Sequence, residues 1–405
     1  MNIALISDIH FGKYSRTTEF SVPGEKIDAD ETYGASDFKA GLISVLKSKE
    51  VEYIFVAGDL TSIGSPQEFH YCEKKILEIA SEVGLSKDKI ILSMGNHDID
   101  RKVYEVYKQY DETILSTDVM ELIKGKYQEA AATISIISLN ELNTMENDIS
   151  IPFTGVIEKE KFIVFILNSA WLCSSDQEYA HGKLDSKQLD WLDKELGKFE
   201  NDNRIKIILM HHHPILYPYP TPSPDISMIE EGSELMKLAG KYGINLILHG
   251  HRHHPTVKTM MEQEWKNPIT IICAGSLSVN ASHRNYGEIP NTLHIINLDK
   301  GPDEFILYNY EYSTAEGWHP LSNDSPSTPM DGEMWLGKIL SNAEKMTSLK
   351  NLVEKGKFPI KWNDLPNDLK HIRCKELNKI LNDLFSKEYV ICGSFPKENV
   401  AILPR

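Results

Sequence analysis

Nine of the 15 histidines in this 405-residue chain lie in four short strings. The strings are Asp8-Ile9-His10, Gly95-Asn96-His97-Asp98, His211-His212-His213 and His249-Gly250-His251-Arg252-His253-His254. Imidazole nitrogens, carboxylate oxygens and amide oxygens are ligands for borderline divalent metals. In Asp8-x-His10 and His251-x-His253, the one-residue spacing puts both side chains on the same side of an extended segment. The strings therefore predict a metal site.

A fifth string, Gly58-Asp59, adds a carboxylate, which has two oxygens and can bridge two cations. Seven candidate ligands result: Asp8, His10, Asp59, Asn96, His211, His251 and His253. With Asp59 shared, each of two metals would have four protein ligands. Mixed nitrogen and oxygen sites of this kind accept Mn, Fe, Co and Zn, so the residues predict two divalent ions without selecting one metal.

Five strands must bring these strings together. Short apolar, β-branched runs predict a buried strand directly before each string: Asn2–Ser7, Tyr53–Ala57, Ile90–Ser93, Ile205–Met210 and Asn245–Leu248. Helical spacing over Asp37–Lys49 and Pro66–Val83 completes a β-α-β-α-β start, which predicts a parallel sheet covered by helices. Parallel strands deliver their carboxyl ends to the same edge of the sheet, where α/β proteins bind ligands. The five strings can therefore meet at one point.

The order D-x-H, G-D, G-N-H-D, H, G-H-x-H resembles the calcineurin-like metallophosphoesterase superfamily, and the downstream Ala274-Gly275-Ser276 also fits. The resemblance implies a four-layer α/β/β/α sandwich with a dinuclear centre at one sheet edge. It places Asp8, His10 and His253 on the first metal, Asn96, His211 and His251 on the second, and Asp59 between them. It also implies that His97 lies beside the attacked phosphate and that Asp98 orients His97.

Such an enzyme hydrolyses a phosphate ester by in-line attack of a metal-bridging hydroxide, while the metals neutralise the developing charge. His97 would donate a proton to the leaving oxygen or stabilise the phosphate. Two neighbouring residues, Arg252 and His212, are weaker candidates for substrate contact. For Arg252 an ion pair on the surface is an equally good interpretation.

Further motifs resemble the branch that contains class III cyclic nucleotide phosphodiesterases and glycerophosphodiesterases. They are Gly58–Gly64, Pro66–Phe69, His181–Leu184 and Gln188–Leu192. Asn168 stands where this branch often has Asp, so the assignment to the branch stays open. The favoured hypothesis is hydrolysis of a small phosphodiester such as a cyclic nucleotide. The alternatives are a nuclease or nucleic-acid-end-processing enzyme, and a metal-stabilised scaffold without turnover.

The chain length suits a large domain and a small one. We expect a catalytic domain over residues 1–314, with a mostly helical insertion at 99–130. A linker rich in Gly, Pro, Ser, Asn and Asp follows at 315–332, and a mainly helical C-terminal module occupies 333–405. Further strands are predicted in the catalytic domain, among them Thr133–Leu139, and helices over Trp335–Met346 and Leu369–Phe385 in the module. The Pro-rich segment 218–224 is a candidate lid or a stiff connector.

Charge is distributed unevenly, because the formal net charge is −16 whereas residues 330–405 contain 13 Lys+Arg and 10 Asp+Glu. An acidic catalytic part argues against a long polyanion lying across it, since tracking of phosphates needs a basic stripe. The basic C-terminal module leaves binding of nucleic acid or a protein partner open. Five widely spaced cysteines argue against a disulfide framework. The sequence has neither a leader-like segment nor an apolar run long enough to span a membrane, which predicts a cytoplasmic protein without membrane association.

Overall fold

The computed structural model describes residues 1–27, 37–99, 153–170, 173, 181–217, 227–281, 289–321, 330–355, 360–384, 389–392 and 401–404. Apart from Ile99, the predicted helical insertion at 99–130 lies outside the described residues. The predicted strand Thr133–Leu139 and the Pro-rich segment 218–224 also lie outside them.

The first sheet has seven strands in the order β12-β11-β10-β1-β2-β3, with β13 also paired to β11. The strands are β1 (Asn2–Ile6), β2 (Val51–Ala57), β3 (Ile90–Ser93), β10 (Asn291–Asn297), β11 (Phe305–Ser313), β12 (Gly317–Pro320) and β13 (Glu333–Leu336). The strands β1, β2 and β3 run parallel, as predicted, and β10 lies antiparallel to β1. The first three motifs therefore leave this sheet at one edge.

The second sheet has six strands in the order β4-β5-β6-β7-β9-β8. The strands are β4 (Gly155–Glu158), β5 (Phe162–Ile166), β6 (Ile205–Leu209), β7 (Leu246–His249), β8 (Thr256–Met260) and β9 (Ile269–Cys273). The four inner strands are parallel, and the edge strands β4 and β8 are antiparallel to their neighbours. The parallel strands β6 and β7 carry the two later histidine strings.

The two sheets face each other across one apolar core. The ring of Phe162 on the second sheet packs 5.0 Å from Tyr53 and 5.7 Å from Phe55 on the first, measured between ring centroids. Two helices cover the outer face of each sheet: α1 (Phe38–Ser48) and α2 (Pro66–Val83) on the first, α3 (Ser186–Lys198) and α4 (Gly232–Tyr242) on the second. The predicted α/β/β/α sandwich is confirmed.

The start of α2 fixes the loop that follows β2. Ser65 accepts a hydrogen bond from the backbone N–H of Glu68, and the Glu68 carboxylate accepts one from the N–H of Ser65. The same carboxylate accepts from the N–H of Ile63, 3.0 Å away. This capping box satisfies N–H groups that an α-helix leaves unpaired at its first turn. It ties the loop after Asp59 to a long helix.

The predicted linker at 315–332 contains sheet structure. Gly317, with a φ of +69°, closes a hairpin in which β12 pairs with β11, so Trp318 lies opposite Tyr312. The strand β13 pairs with β11 as well, opposite Phe305–Tyr308. The catalytic sheet therefore extends to Leu336, beyond the expected boundary at 314. Residues 322–329 of the predicted linker are outside the described part of the chain.

The first helix of the C-terminal module begins later than predicted. Trp335 lies in β13 instead of a helix, and Gly337, with a φ of +95°, follows the end of that strand. Ser341 then accepts a hydrogen bond from the N–H of Glu344 and opens the helix. The module starts after Leu336, and its helices are α5 (Asn342–Lys355), α6 (Asn367–Lys370) and α7 (Cys374–Leu384). Its strands are β14 (Ile360–Lys361), β15 (Tyr389–Cys392) and β16 (Ala401–Pro404), which form a three-stranded sheet in the order β14-β16-β15.

The second predicted module helix is interrupted. The predicted span Leu369–Phe385 divides into α6 and α7, and the carboxylate of Asp331 accepts a hydrogen bond from the N–H of Cys374 at 2.9 Å, where α7 starts. Among the helices in the described ranges, none has the length and apolar character needed to cross a membrane. Four of the five cysteines lie in those ranges with described side chains, and all four are free thiols.

Candidate metal centre

Backbone hydrogen bonds join the loops that carry the motifs. The N–H of Asp8 donates to the carbonyl of Gly58 at 3.1 Å, and the N–H of His10 donates to that of Asp59 at 3.0 Å. On the second sheet, the N–H of Gly250 donates to the carbonyl of His211 at 3.0 Å. The ladder of each sheet therefore continues past the last strand residue, and it holds the motif loops in fixed register.

Positive backbone φ angles are concentrated in these loops. Of the seven non-glycine residues with positive φ in the described ranges, five are predicted metal ligands: Asp8 (50°), His10 (46°), Asp59 (51°), His251 (69°) and His253 (52°). This region of φ is uncommon for side chains other than Gly, Asn and Asp, and it persists where the surrounding structure over-determines it. These residues lie in the loops after β1, β2 and β7, and their φ angles set the direction in which the five side chains leave the backbone.

Glycines beside the ligands allow the loops to approach each other. A Cβ atom on Gly95 would lie 2.2 Å from Oδ1 of Asp59, and one on Gly250 would lie 1.8 Å from Oγ of Ser7 and 2.5 Å from Oδ2 of Asp8. Real Cβ contacts are never this short, so glycine is required at both positions for the observed packing. The glycines of the G-N-H-D and G-H-x-H strings are thus part of the construction of the site.

One cluster of donor atoms joins Asp8, His10, Asp59 and His253, whose ligand atoms lie within 4.8 Å of one another. Oδ1 of Asp8 is 3.1 Å from Nε2 of His253, and Oδ2 of Asp59 is 3.3 Å from Nε2 of His10. All four residues are buried. The structure therefore brings together the three side chains that were predicted for the first metal and the predicted bridging carboxylate.

The second cluster surrounds His211. Its Nε2 atom lies 3.1 Å from Oδ1 of Asn96, 3.2 Å from Nδ1 of His251 and 3.2 Å from Oδ2 of Asp59. Nδ1 of His251 is 3.0 Å from the same Asn96 oxygen. Oδ2 of Asp59 thus lies between His10 of the first cluster and His211 of the second. This is the position that a bridging carboxylate must occupy.

The electrostatics of the centre couple its carboxylates to its histidines. Burial opposes ionisation of Asp59, yet the charges of His211 and His97 and the nearby ring of His10 hold its pKa well below the usual range. Burial also opposes protonation of His10, but the carboxylates of Asp59 and Asp8 raise its pKa to about 9. For His211, burial is likewise outweighed by Asp59, and the pKa rises to about 9.

Several buried polar atoms in the centre have no hydrogen-bond partner among the described residues: Oδ1 of Asp8, both ring nitrogens of His10 and Nδ1 of His253. Buried polar atoms are nearly always paired in folded proteins, and an ion commonly accounts for those that are not. The donor set of carboxylate, amide and imidazole groups is that of a borderline divalent cation. The residues present therefore fit a metal centre.

The expectation that Asp98 orients His97 differs from what the structure shows. The carboxylate of Asp98 accepts hydrogen bonds from the N–H groups of Gly95, Leu60 and Thr61 at 2.9–3.2 Å, and from the Thr61 hydroxyl. Nδ1 of His97 instead lies 2.9 Å from the carbonyl oxygen of Ser62. Residues 96–98 form a single 3-10 turn, in which consecutive side chains point about 120° apart. Asp98 therefore turns into the loop.

His97 lies where the resemblance predicts, at the edge of the first cluster. Its ring is half-buried and lies 4.5 Å from the ring of His10, and its backbone N–H donates to Oδ1 of Asp59 at 2.8 Å. The ring of Tyr14 lies 6.2 Å away. Sequence reasoning missed Tyr14 and the carbonyl of Ser62, since neither an aromatic residue after a D-x-H string nor a backbone oxygen has a distinctive sequence signal.

The two weaker candidates are both buried. His212 lies within 4.8 Å of His211 and His251, and its Nδ1 is 2.9 Å from the hydroxyl of Ser169. The guanidinium of Arg252 packs 4.6 Å from the centre of the Tyr217 ring, so an ion pair on the surface is the wrong interpretation. His212 therefore adjoins the second cluster, whereas Arg252 supports the loop that carries His251 and His253.

Residues 1–255 match the profile of the calcineurin-like phosphoesterase family, and the chain belongs to this family. It is a metal-dependent phosphoesterase, a hydrolase that acts on ester bonds. The resemblance stated from the five motifs is thereby confirmed.

Two curated relatives are named as probable cyclic nucleotide phosphodiesterases. The one from Xenorhabdus bovienii is 24% identical over 258 residues, covering 64% of this chain and 80% of its own. The one from Rhodococcus erythropolis is 22% identical over 251 residues, covering 62% and 67%. Among solved structures, a dimetal phosphatase from Danio rerio is similar, with a TM-score of 0.45, 12% identity and coverage of 76% and 95%.

Proposed function

We propose that this enzyme hydrolyses a small phosphodiester, such as a cyclic nucleotide, at a centre of two divalent metal ions. The observation that carries the proposal is the position of Asp59, whose Oδ2 lies 3.3 Å from Nε2 of His10 and 3.2 Å from Nε2 of His211. One carboxylate oxygen thus faces both donor clusters. A single ion held by the first cluster would leave the second histidine cluster, on the other side of that carboxylate, without a metal to bind.

Seven side chains hold the two ions in this proposal. Asp8, His10 and His253 serve the first ion, Asn96, His211 and His251 serve the second, and Asp59 serves both. Manganese, iron, zinc and cobalt all suit this donor set. When bound, such ions supply a nucleophile at neutral pH and neutralise the charge that develops on the phosphate.

His97 acts as the general acid that donates a proton to the leaving group. Nδ1 donates to the Ser62 carbonyl at 2.9 Å, so Nε2 is the ring nitrogen that we assign to the substrate. A protonated Nε2 donates to the leaving oxygen, a contribution that is typically worth about 10²–10⁴-fold in rate. The ring is half-buried, whereas the four residues of the first cluster are buried, so a substrate can reach it.

Asp98 is a positioning residue. Its carboxylate fastens the N–H groups of Leu60 and Thr61, which follow Asp59, and that of Gly95, which precedes Asn96. It thereby holds the bridging carboxylate and the second cluster's amide in register. Its pKa is raised to about 6 by burial and by the charge of Asp59, and its ionised form accepts these hydrogen bonds.

The substrate class is supported by charge and by the named relatives. The chain carries a net charge of −16, which disfavours a long polyanion lying across its surface. A small diester needs only the local positive charge of the bound ions, which are the largest charges at such a site. Both curated relatives are named for cyclic nucleotides.

The test is a screen of the metal-reconstituted enzyme. Its substrates are bis-p-nitrophenyl phosphate, p-nitrophenyl phosphate, cyclic AMP and GMP, glycerophosphodiesters, and single- and double-stranded DNA and RNA. We expect the small diesters to be hydrolysed faster than the monoester and the polymers. Hydrolysis of nucleic acid alone would assign the enzyme to the nucleases. The cytoplasmic location expected from the sequence stays a prediction, which cell fractionation would test.

Replacing His97 with Asn separates proton transfer from metal binding. We expect His97→Asn to lose at least about 10²-fold in the rate of hydrolysis while retaining its metal content, because the ring is not among the seven ligands. His70→Asn is the matched control, since His70 is exposed on α2. Loss of metal from His97→Asn would instead make this ring a ligand.

A further inference from the structure

The C-terminal module has the topology of a winged helix-turn-helix domain. Its elements follow one another in the order α5, β14, α6, α7, β15 and β16, and β16 lies in the middle of the sheet, antiparallel to β14 and β15. A turn of three residues, 371–373, joins α6 to α7. Two helices joined by such a turn form a helix-turn-helix, and DNA-binding proteins place the second of these helices in the major groove.

The module packs around an apolar core of its own. Cys374, Leu377 and Leu381 of α7 are buried in one cluster with Leu349 of α5 and Trp362. One side of α7 is thereby packed against the rest of the module, whereas its other side is exposed to solvent. The second helix of a DNA-binding helix-turn-helix presents such an exposed side to the bases.

The exposed side of α7 carries side chains that suit the major groove. Lys375, Lys379 and Asn382 are exposed, and their spacing puts them within about 60° of one another around the helix axis. Lys375 and Asn382 are separated by about 10 Å along the axis, which is the rise of about three base pairs. Lysine contacts phosphates and guanine edges, and asparagine contacts adenine edges in the major groove.

The two lysines of this face are not engaged by carboxylates. No ion pair joins Lys375 or Lys379 to another of the described residues. The carboxylate of Glu376 lies 2.7 Å from Nζ of Lys345 on α5, so a lysine outside the face compensates its charge. The other acidic position of α7, Asp383, comes one turn after Lys379. Lys375 and Lys379 can therefore bind phosphates without first breaking an ion pair.

Composition favours a nucleic acid over a protein as the partner of this face. Residues 337–405 contain 13 Lys+Arg and 8 Asp+Glu, whereas the rest of the chain contains 30 and 51. Lysine is depleted in protein interfaces, whose centres are apolar. None of the large apolar side chains that are exposed in the described ranges lies on α7. Attraction between basic side chains and phosphates supplies the sequence-independent part of DNA binding.

We propose that the C-terminal module binds double-stranded DNA, with the face formed by Lys375, Lys379 and Asn382 in the major groove. DNA is favoured over duplex RNA, because the major groove of B-DNA admits a helix and that of A-form RNA is deep and narrow. The duplex then lies on the basic module and not across the acidic catalytic domain. Binding is separate from hydrolysis, since none of the seven candidate metal ligands lies in the module.

Fluorescence anisotropy of the full, metal-loaded chain with a short labelled DNA duplex of mixed sequence tests the proposal. We expect saturable binding that weakens as the salt concentration rises from about 50 to 200 mM, and weaker binding of an RNA duplex of the same sequence. Asp59→Asn should bind the DNA duplex as tightly as the unaltered chain, whatever its effect on hydrolysis. Absence of binding, which is the result expected if α7 docks on a protein, or equally tight binding of the RNA duplex, would overturn the proposal.

Variants locate the binding on α7. Lys375→Gln combined with Lys379→Gln should weaken DNA binding at least about tenfold and lower the slope of log affinity against log salt by about two, one for each lost phosphate contact. The rate of hydrolysis and the unfolding midpoint should not change, because both side chains are exposed. Lys74→Gln combined with Lys194→Gln is the matched control, since it removes two charges from exposed positions of the catalytic domain. Unchanged binding in the α7 variant, or an equal loss in the control, would contradict the assignment.

Discussion

Glu68 should make the stability of this protein depend on pH in an unusual direction. One oxygen of its buried carboxylate accepts the N–H groups of Ile63 and Ser65, whereas the other, Oε1, has no partner among the described residues. Burial is the main cause that raises the pKa of Glu68 from 4.5 to about 7, and the charge of Glu25 adds to it. The folded chain therefore keeps a proton on Glu68 that the unfolded chain releases.

The sign and size of the effect follow from this difference. Because the folded form binds the proton more tightly, the contribution of Glu68 to the free energy of unfolding is largest below pH 4.5 and falls as the pH rises towards about 7. At 1.36 kcal/mol per pKa unit, the loss amounts to about 3 kcal/mol. Glu68→Gln removes the titration, and its amide oxygen can still accept from Ile63 and Ser65.

Urea unfolding of both chains at equal metal loading measures the effect. We expect the Glu68→Gln variant to match the unaltered chain near pH 5 and to be more stable by about 3 kcal/mol near pH 8. Glu82→Gln is the control, because Glu82 is exposed on the same helix, and it should change stability by less than about 0.5 kcal/mol at either pH. A Glu68→Gln difference that does not grow with pH would refute the reasoning.

Two further predictions concern the metal centre. Gly95→Ala should abolish hydrolysis and lower metal content, because its Cβ atom would lie 2.2 Å from Oδ1 of Asp59. Gly197→Ala is the control and should retain activity and metal, because the nearest atom to its Cβ would be 3.8 Å away. An active Gly95→Ala enzyme would show that the packing around Asp59 is looser than described. When metal binds to the metal-free protein near pH 7, protons should be released, and the metal affinity should rise with pH up to about pH 9. The reason is that His10 and His211, whose pKa values are raised to about 9, must lose a proton to become ligands. Calorimetry in buffers of different ionisation enthalpy measures the proton release, and a pH-independent affinity would contradict it.

The sandwich could be predicted because its inner strands are continuous apolar runs. Phe162–Ile166 and the first three residues of Ile90–Ser93 are apolar and buried at every position, so their sequences carry an unambiguous strand signal. The edge strands β8 and β12 were missed: every residue of Thr256–Met260 is only partly buried, and Gly317–Pro320 is four residues long with Gly and Pro at its ends. Their strand character comes from pairing with the next or preceding strand, β9 for β8 and β11 for β12.

The ligand positions could also be predicted, because each of the five strings directly follows a strand and contains the side chains that a divalent metal prefers. The role of Asp98 could not, since it depends on the direction of one side chain in a 3-10 turn. Similarly, the burial of Arg252 depends on Tyr217, which is 35 residues away, and the boundary of the catalytic sheet depends on pairing of β13 with β11. Local sequence specifies chemistry and periodicity, whereas these features depend on tertiary contacts.

We expect two ions to share Asp59 and to act together in hydrolysis. A titration of the metal-free enzyme with Mn²⁺, while the hydrolysis of bis-p-nitrophenyl phosphate is followed, tests this arrangement. Activity should be absent without metal and should reach its maximum only with the second equivalent, and Asp59→Asn should fail to recover it. Full activity with one equivalent of Mn²⁺, or without added metal, would contradict a shared centre of two ions.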